Sequence, residues 1–257
     1  MPPMVLTFAA SDPTGGAGVQ ADLLTIAALD CHPLSVITAL TAQDTAGVTR
    51  VSAVDADWIR SQAHTLLADI EVSAFKAGVL GSAANVRAVS EIVAQHPRVP
   101  FVVDPVLASG RGDPLTGDDA LRALREFILP RTTVLTPNSV EARRLAEPDT
   151  DLAACARRLV AEGCKYVLIT GTHEATDEVV NTLYDKNGVV REDRWPRLPA
   201  EYHGSGCTLA SAIAARLAHQ APVLEAVREA QAFTWRSLSA AFRAGKGQLI
   251  PQRFFPR

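Results

Sequence analysis

The sequence predicts an α/β fold, a mostly parallel central sheet with helices on both faces and an antiparallel hairpin at its edge. Three observations predict the architecture. Short apolar, β-rich runs alternate with helical patterns through residue 169, which is the signature of repeated βαβ crossovers. The rhythm then breaks into two adjoining strand patterns around Asn187-Gly188, a pair suited to a tight hairpin turn. The chain has 257 residues, a length that α/β folds commonly fill as one domain, here residues 1–257.

Taken in order, residues 5–10, 34–40, 74–79, 101–106, 134–136 and 166–169 read as strands, each about as long as a buried parallel strand. Residues 15–29, 57–69, 84–95, 118–128, 139–145 and 151–162 read as the intervening helices. In the first of them Val19, Leu23, Ile26 and Ala27 fall near helical spacing. Residues 179–185 and 189–194 form the hairpin, and two helices follow at about 207–218 and 222–243. The tail, 246–257, shows no period, and no internal repeat or linker interrupts the chain.

Composition narrows the function. A formal charge of −3 leaves no basic excess to neutralise a nucleic-acid backbone, although a small anion needs only local donors. The amino terminus lacks a basic segment followed by a long apolar run, and nothing approaches the roughly 20 apolar residues of a membrane helix. A cytoplasmic protein without membrane or nucleic-acid partners is expected. Cys31, Cys155, Cys164 and Cys207 are scattered, with no C-x-x-C pair, which fits reduced thiols better than a disulfide frame or a zinc site.

In an open parallel sheet, ligands collect where the carboxyl ends of strands meet loops. Three segments lie there. The first is Ser11-Asp12-Pro13-Thr14-Gly15-Gly16-Ala17-Gly18-Val19-Gln20-Ala21-Asp22, after the first strand. Its Gly16-x-Gly18-x-x-Ala21 spacing also matches a dinucleotide fingerprint, with Asp44 downstream, but residues 11–15 separate the glycines from the strand. The second is His203-Gly204-Ser205-Gly206-Cys207-Thr208, opening a helix. Its glycines let successive N–H groups point outward, where unpaired donors and the helix dipole favour an anion. The same field is expected to lower the pKa of the Cys207 thiol. The third pairs Asp104-Pro105-Val106 with Asn138 and Glu141, two carboxylates that suit Mg²⁺ completed by water and phosphate. Their structural alternatives are a loop cap and a first-turn helix acid. No G-x-x-x-x-G-K-[ST], G-x-S-x-G or H-E-x-x-H is present.

Together these segments resemble the hydroxymethylpyrimidine/phosphomethylpyrimidine kinase family of the ribokinase-like superfamily, over nearly the whole chain. Residues 11–22 are similar to its S-D-x-x-G-G-A-G-[IV]-Q-A-D, and residues 37–45, with Thr41-Ala42-Gln43, to its I-T-A-L-T-A-Q segment. Lys76-Ala77-Gly78-Val79-Leu80, Asp104-Pro105-Val106, Thr136-Pro137-Asn138 with Glu141, and Gly204-Ser205-Gly206-Cys207-Thr208 follow in family order.

The resemblance implies an ATP- and Mg²⁺-dependent kinase for a small pyrimidine alcohol and its monophosphate in thiamine synthesis, working as a homodimer. It implies that Gly204, Ser205 and Gly206, with Cys207, form an anion hole, and that Cys207 is the base. Asp104 and Glu141 would hold the metal. Gly18, Asp22, Gln43, Val79 and Val106 would line the pyrimidine pocket, and Asn138, Thr170 and Thr208 would contact the nucleotide. The segment around Val48 would be a flap over the substrate.

The chain departs from the family pattern at Val79, in place of a pocket methionine, and at Thr170-Gly171-Thr172-His173, in place of K-G-G-H. The loop after Asp104 lacks its usual lysine but carries Arg111, which would contact phosphate in its stead. The alternatives are a pyridoxal kinase of the same fold, a non-catalytic pyrimidine-binding module and, more distantly, a nicotinamide oxidoreductase. The last finds no hydride-site constellation downstream.

Overall fold

A computed structural model describes residues 1–108, 115–148 and 150–255. The strands are β1 (Met4–Ser11), β2 (His32–Gln43), β3 (Val48–Ala53), β4 (Ala74–Ala77), β5 (Phe101–Val103), β6 (Val134–Leu135), β7 (Tyr166–Ile169), β8 (Glu178–Asp185) and β9 (Gly188–Pro196). The helices are α1 (Gly18–Ala28), α2 (Ala56–Leu67), α3 (Ala83–Ala94), α4 (Asp118–Ala123), α5 (Ser139–Leu145), α6 (Leu152–Ala161), α7 (Ser205–Ala218) and α8 (Val223–Ser239). All nine strands join one sheet in the order β3-β2-β1-β4-β5-β6-β7-β8-β9. Strands β2, β1, β4, β5, β6 and β7 run parallel, whereas β3 at one edge and β8 and β9 at the other pair antiparallel.

Strand pleating divides the core in two. Val5, Ala74, Val102, Val134 and Leu168 face Ile26 of α1 and the apolar sides of α7 and α8. Their neighbours Leu6, Phe75, Val103, Leu135 and Val167 face α2, α3, α5 and α6. This period of two, applied to strands buried on both faces, explains why the runs read as continuously apolar. Helix α7 is buried nearly all round, with Ala210, Ala212, Ala214 and Ala215 each fully shielded. Those small side chains let its backbone lie close to the sheet, which fixes where its first turn points.

The expected hairpin is present, with Gly188 at φ 109° supplying the positive φ beside the turn. Several bounds differ for local reasons. Helix α1 begins at Gly18 rather than 15, because the preceding residues wrap the Asp12 carboxylate. The pattern at 118–128 is α-helical only to Ala123; a wider π turn spans Leu124–Ile128 and a tight 3₁₀ turn Leu129–Arg131, which together bury Leu124, Ile128 and Leu129. Helix α8 stops at Ser239 because the backbone of Phe242 pairs both ways with Ile250 of the tail. Strand β3 had no strand signal: Val-Thr-Arg-Val-Ser-Ala is half polar and lies on an exposed edge.

Candidate active site

The sheet order places a switch point between β1 and β4. The chain goes from β1 to β2 on one side and later returns to β4 on the other, which opens a crevice at the carboxyl ends of β1 and β4. Helix α7 packs against β1, β4 and β5, and its first turn lies over that crevice. Gly204, its N-cap, has φ 79°, and a Cβ there would stand 2.0 Å from the Gly16 carbonyl oxygen. Only glycine fits, for conformation and for space. The same contact presses the two glycine-rich segments of the sequence together, 188 residues apart in number.

The next residues face a carboxylate. A Cβ on Gly206 would stand 3.2 Å from Asp104 Oδ2, so this turn crosses directly above the end of β5. Asp104 is 4% exposed, and its Oδ2 is a buried oxygen without a hydrogen-bond partner. Among the described residues no side chain caps α7, and no acidic residue occupies its first turn. The opening of this helix therefore keeps its positive field and free donors for something other than the protein's own side chains.

Beneath the turn sits a buried polar network. Lys76 Nζ lies 2.8 and 2.9 Å from the two carboxylate oxygens of Asp22, which also accept from Thr7 Oγ1 at 2.6 Å and Ser211 Oγ at 2.8 Å. Lys76 and Asp22 have no exposed side-chain surface. Burial alone would strip the lysine of its proton, but Asp22, Cys207 and Asp104 hold its pKa above the ordinary value. A permanent cation is thus fixed under the site.

The thiol does not behave as the helix dipole alone would have it. Burial pushes Cys207 up to about 12, Asp104 and Asp22 add to the rise, and Lys76 and the Gly18 N–H only partly offset it. This corrects the expected depression: burial, with two neighbouring carboxylates adding to it, keeps the thiol neutral at rest. Asp104 itself is raised to about 6 by burial, despite Lys76, with Asp22 adding to the rise. Glu141 is raised to about 8 by burial and by the charge of Asp104.

Glu141 is also the N3 residue of a capping box on α5. Asn138 Oδ1 accepts from the N–H groups of Val140 and Glu141, while Glu141 Oε2 accepts from the Asn138 N–H at 2.9 Å. The helix-acid reading and the metal reading therefore meet in one residue: one carboxylate oxygen caps and the other faces Leu107 N–H at a long 3.4 Å. Two carboxyls, Asp104 with an orphan oxygen and Glu141 raised by the charge of Asp104, fit a divalent cation. Among the described residues no group of three or more His, Cys, Asp or Glu forms a metal cage. That suits Mg²⁺, which takes one or two carboxylates and completes its shell with water and phosphate.

The first glycine-rich segment is organised differently. Asp12, 2% exposed, accepts from Thr14 N–H, Thr14 Oγ1 and Ala17 N–H at 2.8, 2.9 and 2.7 Å. Burial would raise this carboxyl, but hydrogen bonds from His203, Thr14 and Ala17 hold it down to about 2. Asp12 can then only accept, so His203 Nε2, 2.8 Å away, carries the proton between them. Gln43, at the end of β2, lies 3.1 Å from the same ring nitrogen.

The remaining expected residues divide. Gly18 opens α1 at φ 59°, where a Cβ would strike the Ala10 carbonyl oxygen at 2.4 Å. Val79 and Val106 are half-buried beyond β4 and β5, and Thr170 bridges Asn138 beyond β7. Two expectations are corrected. Asp22 does not line a pocket, because its carboxylate is fully buried and taken up by Lys76, Thr7 and Ser211. Thr208 does not face a nucleotide, because it too is fully buried, donating to the Gly204 carbonyl at 2.8 Å. Arg111 lies outside the described residues. The segment around Val48 forms β3, and the turn before it is tied at Thr45 to the N–H groups of Gly247 and Gln248. Sequence reasoning quoted Lys76, Asp12 and His203 without giving them a task, and passed over Ser211 and Arg253.

Comparison with known proteins bears on this arrangement. A family model described as phosphomethylpyrimidine kinase matches residues 12–252. A hydroxymethylpyrimidine/phosphomethylpyrimidine kinase of Streptomyces coelicolor is 42% identical over 254 residues, covering 96% of this chain and 92% of that one. Among solved structures, a Staphylococcus aureus pyridoxal kinase in complex with AMP-PCP and pyridoxal superposes with a TM-score of 0.89 at 28% identity, covering 98% of this chain and 94% of the other. A Clostridium difficile phosphomethylpyrimidine kinase gives 0.79 at 33% identity, covering 90% and 97%. A crevice with two carboxyls under an uncapped glycine turn, and relatives that match it along nearly their full length, lead to one statement: the chain belongs to the phosphomethylpyrimidine kinase family.

Proposed function

We propose that this protein transfers the terminal phosphoryl group of ATP to the hydroxymethyl oxygen of 4-amino-5-hydroxymethyl-2-methylpyrimidine, and then a second one to the resulting monophosphate, for thiamine biosynthesis. The observation that carries the reading is the uncapped first turn of α7 set over the orphan oxygen of Asp104. Phosphoryl transfer asks a protein mainly for positioning and charge neutralisation, and this is what the crevice offers.

In this reading the N–H groups of Ser205, Gly206 and Cys207 receive the oxygens of the moving phosphoryl group at the positive end of α7. Lys76 stands beneath as a fixed cation. Gln43, Gly18, Val79 and Val106 surround the heterocycle, and His203, which donates to Asp12, stands beside the Gln43 amide. Asn138 and Thr170 lie on the nucleotide side. Asp104 and Glu141 would hold Mg²⁺, which would neutralise phosphate oxygens and offset the Asp104 charge that, after burial, raises the Cys207 thiol. Cys207 first gives up its own proton to solvent, and as the thiolate it then takes the hydroxyl proton as the oxygen attacks. Arg111 would meet the phosphate of the monophosphate in the second step, and the assembly is a homodimer.

The S. aureus structure with pyridoxal favours a second reading, in which the alcohol is a pyridine rather than a pyrimidine. Both are flat heterocycles bearing a hydroxymethyl group. Incubation with ATP, Mg²⁺ and each alcohol separately, with products identified by mass, decides between them. The pyrimidine monophosphate should form faster, followed by the diphosphate. Faster phosphorylation of pyridoxal would move the substrate to the second reading, and no phosphorylated product with either would overturn both.

A further inference from the structure

Far from the glycine-rich segments in sequence, the tail returns to them. Gln252 N–H donates to the Ser237 carbonyl at 3.0 Å, and Phe255 packs edge-on against Phe233 with ring centroids 5.8 Å apart, which anchors the chain on either side of Arg253. Arg253 is 2% exposed. Its Nη2 donates to the Gly16 carbonyl at 2.6 Å and its Nε to Thr208 Oγ1 at 3.2 Å. Thr208 Oγ1 in turn donates to the Gly204 carbonyl. One guanidinium therefore grips both glycine openings, at the point where Gly16 and Gly204 touch.

The charge of this group is unusual. Among the described residues no carboxylate lies within ion-pair distance of it. Burial lowers its pKa, and the ionisable groups acting on it are Cys207, Asp22 and Asp12. A buried cation without an ion-pair partner is costly to keep, and a purely structural tie between two carbonyl-bearing turns could be made by a neutral donor. The cost has a use if the partner is an anion that arrives with the reaction. A fixed guanidinium behind the first turn of α7 adds to the field of its N–H groups without reorganising when charge develops.

We propose that Arg253 is a positioning residue for phosphoryl transfer: it sets the Gly204–Cys207 turn through Thr208 and Gly16, and lends that turn positive charge. The proposal rests on the kinase reading above, and it goes beyond it by giving the tail a part in the reaction. It implies that substrate binding is served less by Arg253 than is the transition state, whose equatorial oxygens carry the charge the turn meets.

The test compares wild type with Arg253→Lys, Arg253→Met and Thr208→Val. Wild-type turnover of the pyrimidine alcohol checks the underlying reading by itself; its failure would sink that reading and not speak through the variants. Given turnover, Arg253→Met should lower kcat by about ten- to a hundredfold, the scale of a hydrogen bond to a charged group, with KM for either substrate moving less than about threefold. Arg253→Lys keeps the charge but loses the fork, and should keep an intermediate rate. Thr208→Val, which cuts the relay and keeps the charge, should also fall between. Calorimetry supplies a readout apart from turnover: aluminium fluoride should tighten ADP–Mg²⁺ binding to wild type, and that gain should shrink in Arg253→Met while ADP affinity holds. Should Arg253→Met fail to fold, Arg253→Lys decides by the same two measurements. A lower melting temperature with unchanged kcat and an unchanged fluoride gain would reduce Arg253 to a structural tie and overturn the proposal.

Discussion

The two glycine-rich helix openings touch one another, yet they solve the same electrostatic problem in opposite ways. In the loop that leads into α1 the protein supplies its own anion: Asp12 accepts from the Thr14 and Ala17 N–H groups and is partnered by His203, although it does not cap the helix itself. At the opening of α7 no side chain among the described residues caps the turn, and Asp104 lies across from Gly206 instead of on the N–H groups. A helix N-terminus attracts negative charge wherever it occurs. What separates scaffold from site is whether a side chain has already answered that attraction. The first loop shapes the crevice, and the second is left to react.

This contrast can be broken by substitution. Cys207→Ala should give the largest effect, a fall in kcat of roughly 10²–10⁴ with a much smaller change in KM, because the proton acceptor is lost while the turn's backbone donors stay. Cys207→Asp should recover part of that rate. Near-normal kinetics in the alanine variant would return Cys207 to a packing role.

Asp12→Asn should act on stability. The folded carboxyl is held at about 2, below its ordinary 3.8, so its contribution is present above about pH 4 and is lost as pH falls towards 2. The shift corresponds to about 2 kcal/mol at neutral pH. Denaturant unfolding should show that deficit at pH 7, shrinking at pH 3. A deficit independent of pH would mean that shape, not charge, is what Asp12 contributes.

Gly206→Ala sharpens the comparison because fold and function should part. Alanine is favoured over glycine within a helix by about 1 kcal/mol, so the melting temperature should hold or rise. The new methyl, 3.2 Å from Asp104 Oδ2, should still lower kcat about tenfold by crowding the carboxylate. Gly15→Ala, in the first loop, should do least: φ is 74° but nothing lies within 4 Å, so a loss of about 1 kcal/mol with unchanged kcat is expected. A kinetic defect in Gly15→Ala would mean that the first opening also reacts.

Much of this was legible in the sequence, and the gaps have physical causes. The alternation of apolar runs placed every parallel strand, since strands buried on both faces cannot hide their composition. Strand β3 was missed because an exposed edge puts no such demand on Val48–Ala53. The glycine turns, Asp104 and Glu141 stood out because their spacing after strands is a local property. Lys76 carried a readable signal, a charge inside Ala74–Ala77, all of which is buried, but its partner is 54 residues away. Asp22 and Thr208 were misplaced for the same reason: their positions on helices were right, but which face they turned inward depended on Lys76 and Arg253. Arg253, in a tail without period, acquires meaning only through contact with Gly16, 237 residues away.

The central claim, that α7's opening and not α1's receives the transferring group, is tested most directly by a crystal structure with ADP, Mg²⁺ and aluminium fluoride. The account predicts the fluoroaluminate seated on the N–H groups of Gly206 and Cys207, beside Asp104. An anion bound instead at Gly15 to Ala17, with Asp12 displaced, would contradict it.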